Sequence, residues 1–282
     1  MALLKSCKKR QRKYAVVFIA FSCLIFIPSL SRAQALQANG LPSSYPQTRQ
    51  TVAQQQYPWR SIGSISIAGR QFCTATLISE TQILTAAHCL WNEDHESWYP
   101  APFIHFLAGY EKGEYLSHSM AVSITPSRHY RFTSPPTLDS LRHDWALLTL
   151  KKPLGKMLGF IPLRRNDTDR KETQTLQLAG YRQDRPEVLS VAKECQRKQA
   201  QHTPASLIGF LIHSCEALSG DSGGPLLSGA HSDSIEAGSV FVEGVHVGRQ
   251  HNQSRSDSLA VTAQAIATEI KTPRSKRVSA SH

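Results

Sequence analysis

From Tyr57 onward, apolar residues come in short stretches broken by turn-forming residues, at 62–68, 72–78, 83–87, 104–109, 121–124 and 145–150. These are strand lengths at the spacing of an all-β sandwich or barrel. A segment at 151–160, marked by Pro153, Gly155 and Gly159, interrupts the pattern. Apolar stretches then resume at 176–181, 188–192 and 207–212. The segment therefore reads as a link between two β units, and 282 residues suffice for two cores or one large one. No repeat and no heptad pattern is present. Residues 36–56 are rich in Gln, Ser, Pro and Ala without apolar periodicity, which predicts a disordered leader or short propeptide.

The N-terminus has a different texture. Basic residues from Lys5 to Lys13 precede an apolar run at 14–30, and Ala33-Gln34-Ala35 follows as an Ala-x-Ala cleavage pattern. This predicts a signal peptide over 1–35 cut after Ala35, or after Ala33, with a retained membrane anchor as the alternative. The same segment changes the meaning of the net charge of +11. Seven basic residues and no acidic one lie within 1–35, and Lys271, Arg274, Lys276 and Arg277 form a basic tail over 271–282. The remaining body is close to neutral, so no nucleic-acid partner is expected, nor a stable membrane association once the signal is removed.

Export also sets the reading of cysteine. Cys7 and Cys23 leave with the signal, so Cys73, Cys89, Cys195 and Cys215 remain, with three pairings open. An oxidising compartment favours disulfides over a metal site, and neither a CxxC nor a His-x-x-x-His spacing is present. Proximity along the chain suggests Cys73 with Cys89 and Cys195 with Cys215. Neither a metal nor a cofactor is expected.

The chemistry concentrates in Gly220-Asp221-Ser222-Gly223-Gly224-Pro225-Leu226-Leu227. A serine framed by glycines and followed by proline predicts a tight, exposed turn. Such a turn presents a hydroxyl while leaving nearby N–H groups unpaired, which is what acyl transfer requires. The octapeptide resembles the nucleophile loop of chymotrypsin-like serine peptidases. Two further motifs fit that family in its chain order of His, Asp, Ser. Thr85-Ala86-Ala87-His88-Cys89 resembles the histidine signature, and His143-Asp144-Trp145-Ala146-Leu147-Leu148 resembles the aspartate element. The wording around Asp144, the Leu178-Ala179-Gly180-Tyr181 turn, a cysteine seven residues before the serine and Val245-His246-Val247-Gly248 are similar to the bacterial glutamyl-endopeptidase-like branch.

The resemblance covers roughly 57–270. It implies two antiparallel six-stranded β-barrels, at about 57–160 and 161–270, with the active site in the cleft between them. It implies Ser222 as nucleophile, His88 as general base, Asp144 as the residue that orients His88, and the N–H groups of Gly220 and Ser222 as the oxyanion hole. A bridge from Cys73 to Cys89 would clip the histidine loop to its preceding strand. By the same resemblance Glu216, His246 and Arg249 line the specificity pocket, where opposite charges would neutralise one another. One departure concerns activation. Trypsin-type zymogens pair a newly cut N-terminus with the aspartate preceding the serine, and no matching site lies upstream of Asp221. The expectation is a secreted or periplasmic, monomeric serine endopeptidase acting on proteins or peptides. The alternatives are a catalytically silent binding protein on the same fold and a membrane-tethered protease.

Overall fold

The computed structural model describes residues 49–165, 175–198, 205–230, 238–252 and 255–271. All of them belong to one compact unit spanning 47–282. The expected signal segment, residues 36–48 and the basic tail beyond Lys271 lie outside the described residues. No helix among those described is long and apolar enough to cross a membrane.

The first apolar stretches form a barrel because each turns one side of a pleated strand inward. Its strands are β2 (Ile62–Ile67), β3 (Arg70–Leu77), β4 (Gln82–Thr85), β7 (Ile104–Ala108), β8 (Ser117–Pro126) and β9 (Ala146–Leu150). They close antiparallel in the order β2-β3-β4-β9-β8-β7, around Ile65, Ile83, Phe106 and Leu148, all fully buried. A small hairpin, β5 (Trp91–Asn92) with β6 (Ser97–Trp98), hangs from the β4–β7 connection. Helix α1 (Leu138–Arg142) precedes β9. The 151–160 link carries one short helix, α2 (Leu154–Leu158).

The second unit is built from β10 (Leu176–Gly180), β11 (Ser190–Cys195), β12 (Phe210–His213), β13 (Pro225–Ser228), β14 (Phe241–Asn252) and β15 (Arg255–Thr262). These follow the order β11-β10-β13-β14-β15-β12 in an antiparallel sheet. The sheet curls until its ends meet. Arg197 bridges to His213, Lys198 N–H donates to Ile212 O, and Ser214 N–H donates to Gln196 O at 3.0 Å. The Cys195–Cys215 disulfide lies across the same seam. The expected two-barrel, all-β architecture is therefore present, ending in a helix the strand pattern did not foresee, α3 (Ala263–Lys271).

One expectation needs correction. Residues 49–56 were assigned to the patternless leader, yet Arg49–Thr51 form β1 and add a seventh strand to the second sheet by pairing with β11. Ordering follows from two gains that an apolar pattern cannot report. The backbone satisfies the outer edge of β11, and the Arg49 side chain finds a buried acidic partner.

A cluster including Trp59, Ile62, Ile161, Tyr181, Val191 and Val242 packs β2 of the first barrel onto the second sheet. That junction fixes where the loops of the two units meet.

Candidate active site

His88 sits where β4 ends. Ala86 and Ala87 are fully buried, and the chain then makes a single turn, with Leu90 N–H donating to Ala87 O at 3.0 Å. The Cys73–Cys89 disulfide ties this turn to β3, with Cα atoms 6.1 Å apart. It also excludes a metal reading of the cluster of Cys73, Cys89 and His88, since sulfurs bonded to each other offer no thiolate.

Asp144 comes from the opposite side. Thr137 caps α1 by accepting from Ser140 N–H, and the chain turns at His143 so that Asp144 enters the interior just before β9. The carboxylate is buried, and His88 occupies both of its oxygens. The His88 N–H donates to Oδ1 at 2.8 Å, and Nδ1 lies 2.5 Å from Oδ2. A carboxylate can only accept, so Nδ1 carries the hydrogen and Nε2 keeps a lone pair directed away from Asp144. Burial pulls the His88 pKa down, but the charge and hydrogen bond of Asp144 outweigh it and leave the imidazole above its ordinary value.

The Ser222 loop docks onto β3. Thr74 N–H donates to Ser222 O and its hydroxyl to Gly220 O, both at 2.9 Å, while the same hydroxyl accepts from Tyr181 N–H. With those carbonyls drawn toward Thr74, the N–H groups of Gly220 and Ser222 have no acceptor among the described residues. Gly220 (φ +91°) and Gly223 (φ +77°) hold left-handed conformations, and a Cβ on Gly223 would collide with the Thr85 hydroxyl and the Thr74 carbonyl. This crowding places Ser222 against the strand ends that carry His88. Its hydroxyl makes no hydrogen bond to a described residue, His88 included. Such contacts commonly tighten only when substrate is bound.

Asp221 faces inward, beneath the loop. Arg49 Nη1 donates to Oδ1 at 2.7 Å and Oδ2 at 2.8 Å, and Arg49 Nη2 donates to Leu178 O at 3.0 Å. Leu218 N–H adds a bond to Oδ2 at 2.9 Å. Both side chains are essentially inaccessible to water. Burial pushes the Asp221 carboxyl up and the Arg49 guanidinium down from their ordinary values, each opposed by the other's charge. Sequence reasoning missed Arg49. The available signal was its isolation, since it is the only charged residue between Arg32 and Arg60.

The pocket residues divide differently from expectation. Glu216 was expected to be neutralised by His246 or Arg249, but its partner is Arg182, at 3.2 Å, which also binds Asp184 at 2.8 Å. Arg182 lies on the turn after β10, against which the nucleophile loop packs, and so reaches Glu216 first. His246, on β14, is buried with its Nδ1 3.2 Å from Nε2 of His213 on β12. Burial, with positive neighbours, keeps His246 well below its ordinary pKa, and it lowers His213 to about 3. Both rings are therefore neutral near pH 7. Arg249 is exposed and forms no salt bridge among the described residues. Beside Gly220 opens a cavity of about 230 Å³ lined by Ser64, Cys73, Tyr181, Gln183, Pro186 and Ser219.

Comparison with known proteins places the chain in a family and a fold. The family model described as Trypsin matches residues 48–267. A solved Glu endopeptidase in complex with MPD superposes with a TM-score of 0.61 at 20% identity, covering 79% of this chain and 94% of its own. The protease Anisep from Arthrobacter nicotinovorans gives 0.54 at 16% identity over 76% of this chain and 93% of its own. Human heparin binding protein gives 0.57 at 16% identity, over 80% and 97%. At these identities the superpositions speak for the fold.

Proposed function

Since the chain belongs to the trypsin family of serine peptidases, we propose that it is an active endopeptidase that hydrolyses peptide bonds through an acyl-enzyme on Ser222. The observation that carries this reading is the double engagement of His88 by buried Asp144, which leaves Nε2 as a base beside a loop with two N–H groups that have no acceptor among the described residues.

The Ser222 hydroxyl attacks the scissile carbonyl while His88 Nε2 takes its proton. The oxyanion forms against the N–H groups of Gly220 and Ser222, donors with no other acceptor among the described residues. Asp144 stabilises the imidazolium, which then protonates the departing amine and leaves the acyl group on Ser222. Water, deprotonated by the same nitrogen, attacks the ester, and collapse returns the proton to Ser222.

The pocket charges favour acidic or uncharged residues before the scissile bond over Lys and Arg. Glu216 is held by Arg182, His246 is neutral, and exposed Arg249 supplies a positive charge that forms no salt bridge among the described residues. The two disulfides and the Ala-x-Ala segment support function outside the cytoplasm. A fluorophosphonate probe applied to the exported protein tests the assignment. It should modify Ser222 and abolish hydrolysis, and labelling at another residue with Ser222→Ala still active would refute it. Matched Glu, Gln and Arg peptides then read the pocket, where a dominant Arg preference lost in Glu216→Gln would overturn the charge assignment.

A further inference from the structure

We infer that Arg49 is the positioning residue that holds the oxyanion loop in its working shape, so the loop is assembled by a side chain from the N-terminal strand and requires no newly cut N-terminus. The inference rests on the assignment of Ser222 as nucleophile with Gly220 and Ser222 as oxyanion donors.

Asp221 is the residue between those two donors, so the direction of its side chain fixes the rotation of both flanking peptides. Four hydrogen bonds define that direction or anchor its partner. Two run from Arg49 Nη1 to the carboxylate, one from Leu218 N–H to the carboxylate, and one from Arg49 Nη2 to Leu178 O on β10. A buried carboxylate deprived of its cation is strongly unfavourable. Without Arg49 the loop would rotate Asp221 toward water, carrying the N–H groups of Gly220 and Ser222 out of alignment. Among the described residues the other cation that acts on Asp221, Arg182, is committed to Asp184 and Glu216.

The consequence for processing is specific. β1 is the outermost strand of the second sheet, attached through β11 alone. A cut before Arg49 leaves the pair intact, whereas removal of Arg49 dismantles the loop. The active protein therefore begins at or before Arg49.

The test compares the full chain with Arg49→Met and Arg49→Lys, reading kcat, KM, Ser222 labelling and thermal melting. Arg49→Met should lower kcat and the labelling rate by about 100-fold or more, as loss of an oxyanion donor does, with KM changed only a few-fold. Arg49→Lys separates positioning from folding. The groups facing this site are Asp221 on the nucleophile loop, Glu216 before it, Arg182 after β10, His213 on β12 and His246 on β14. An ammonium buried here loses its proton below the ordinary lysine value of about 10.4. Arg49→Lys should thus regain activity at neutral pH and lose it reversibly at alkaline pH, a limb that the always-charged guanidinium of the native chain lacks. N-terminal sequencing of the active protein should give a start at or before residue 49. The role of Arg49 is overturned by Arg49→Met with native kcat, by Arg49→Lys with the native alkaline profile, or by an active protein starting later. If Arg49→Met fails to fold, the lysine profile and the sequenced terminus decide. Labelling of the unsubstituted chain reads the peptidase assignment separately: its absence removes the nucleophile this role depends on, whereas a labelled native chain beside an equally reactive Arg49→Met overturns Arg49 alone.

Discussion

At the residue scale, one carboxylate determines what one imidazole can do. Asp144 takes up the backbone N–H and the Nδ1–H of His88 together, so both the position and the tautomer of the ring are fixed before substrate arrives. Replacing Asp144 by Asn keeps the shape but offers Nδ1 a donor as readily as an acceptor. The wrong tautomer then points a hydrogen at Ser222, and kcat should fall by about four orders of magnitude. Steady-state hydrolysis by Asp144→Asn checks this, and near-native turnover would remove Asp144 from the triad. The pH profile follows from the same contact. His88 must be neutral to accept a proton, and Asp144 holds its pKa above the ordinary 6.5. Measured kcat/KM should therefore climb as pH rises through a value above 6.5, and a limb centred below 6 would contradict the pairing.

At the element scale, strand β3 carries the site more than the nucleophile loop does. Thr74 accepts or donates three hydrogen bonds that connect β3 to Gly220, Ser222 and Tyr181. Thr74→Val keeps the shape and deletes the hydroxyl, leaving Gly220 O and Tyr181 N–H buried without a partner at a cost of about 1–3 kcal/mol each. Thr74→Val should lose stability and slow Ser222 labelling, while Thr74→Ser should recover both; denaturant titration and probe kinetics distinguish them. Legibility in the sequence also divides by element. Strands such as β10, buried along its whole length, were visible as apolar runs. Strand β8 was seen only at its centre, because Ser119 and Ala121 alone among its ten residues are buried. The proposed triad residues His88, Asp144 and Ser222 stand out in the sequence because their local motifs are specific. Arg49 shows in the sequence only as an isolated charge, because its partner lies 172 positions away and its strand has no apolar signature. The Arg182–Glu216 pair was hidden for the same reason, since charge partners across loops leave no periodicity.

At the scale of the whole molecule, the site exists only where two barrels meet: His88 and Asp144 belong to the first, and Ser222, with Asp221 beneath it, to the second. The interior of the second barrel holds an acid-sensitive feature. His213 and His246 are buried against each other and against the positive charge of Arg49, so both stay neutral in the folded state well below pH 6.5. In the unfolded chain both take up protons near 6.5. The unfolded state thus binds more protons as pH falls, so their contribution to stability is complete above about pH 6.5. It is lost progressively toward the folded value of His213, about 3. Each histidine steepens the acid slope by at most about 1.4 kcal/mol per pH unit. His213→Asn cannot titrate at that position, so its stability should fall less steeply between pH 6.5 and 4, even though the altered packing lowers its stability at pH 7. Denaturant unfolding of both proteins at half-unit steps through that window measures the two slopes. Parallel slopes would mean that His213 is protonated in the folded barrel, and that the neutral histidine pair beneath the nucleophile loop has been misassigned.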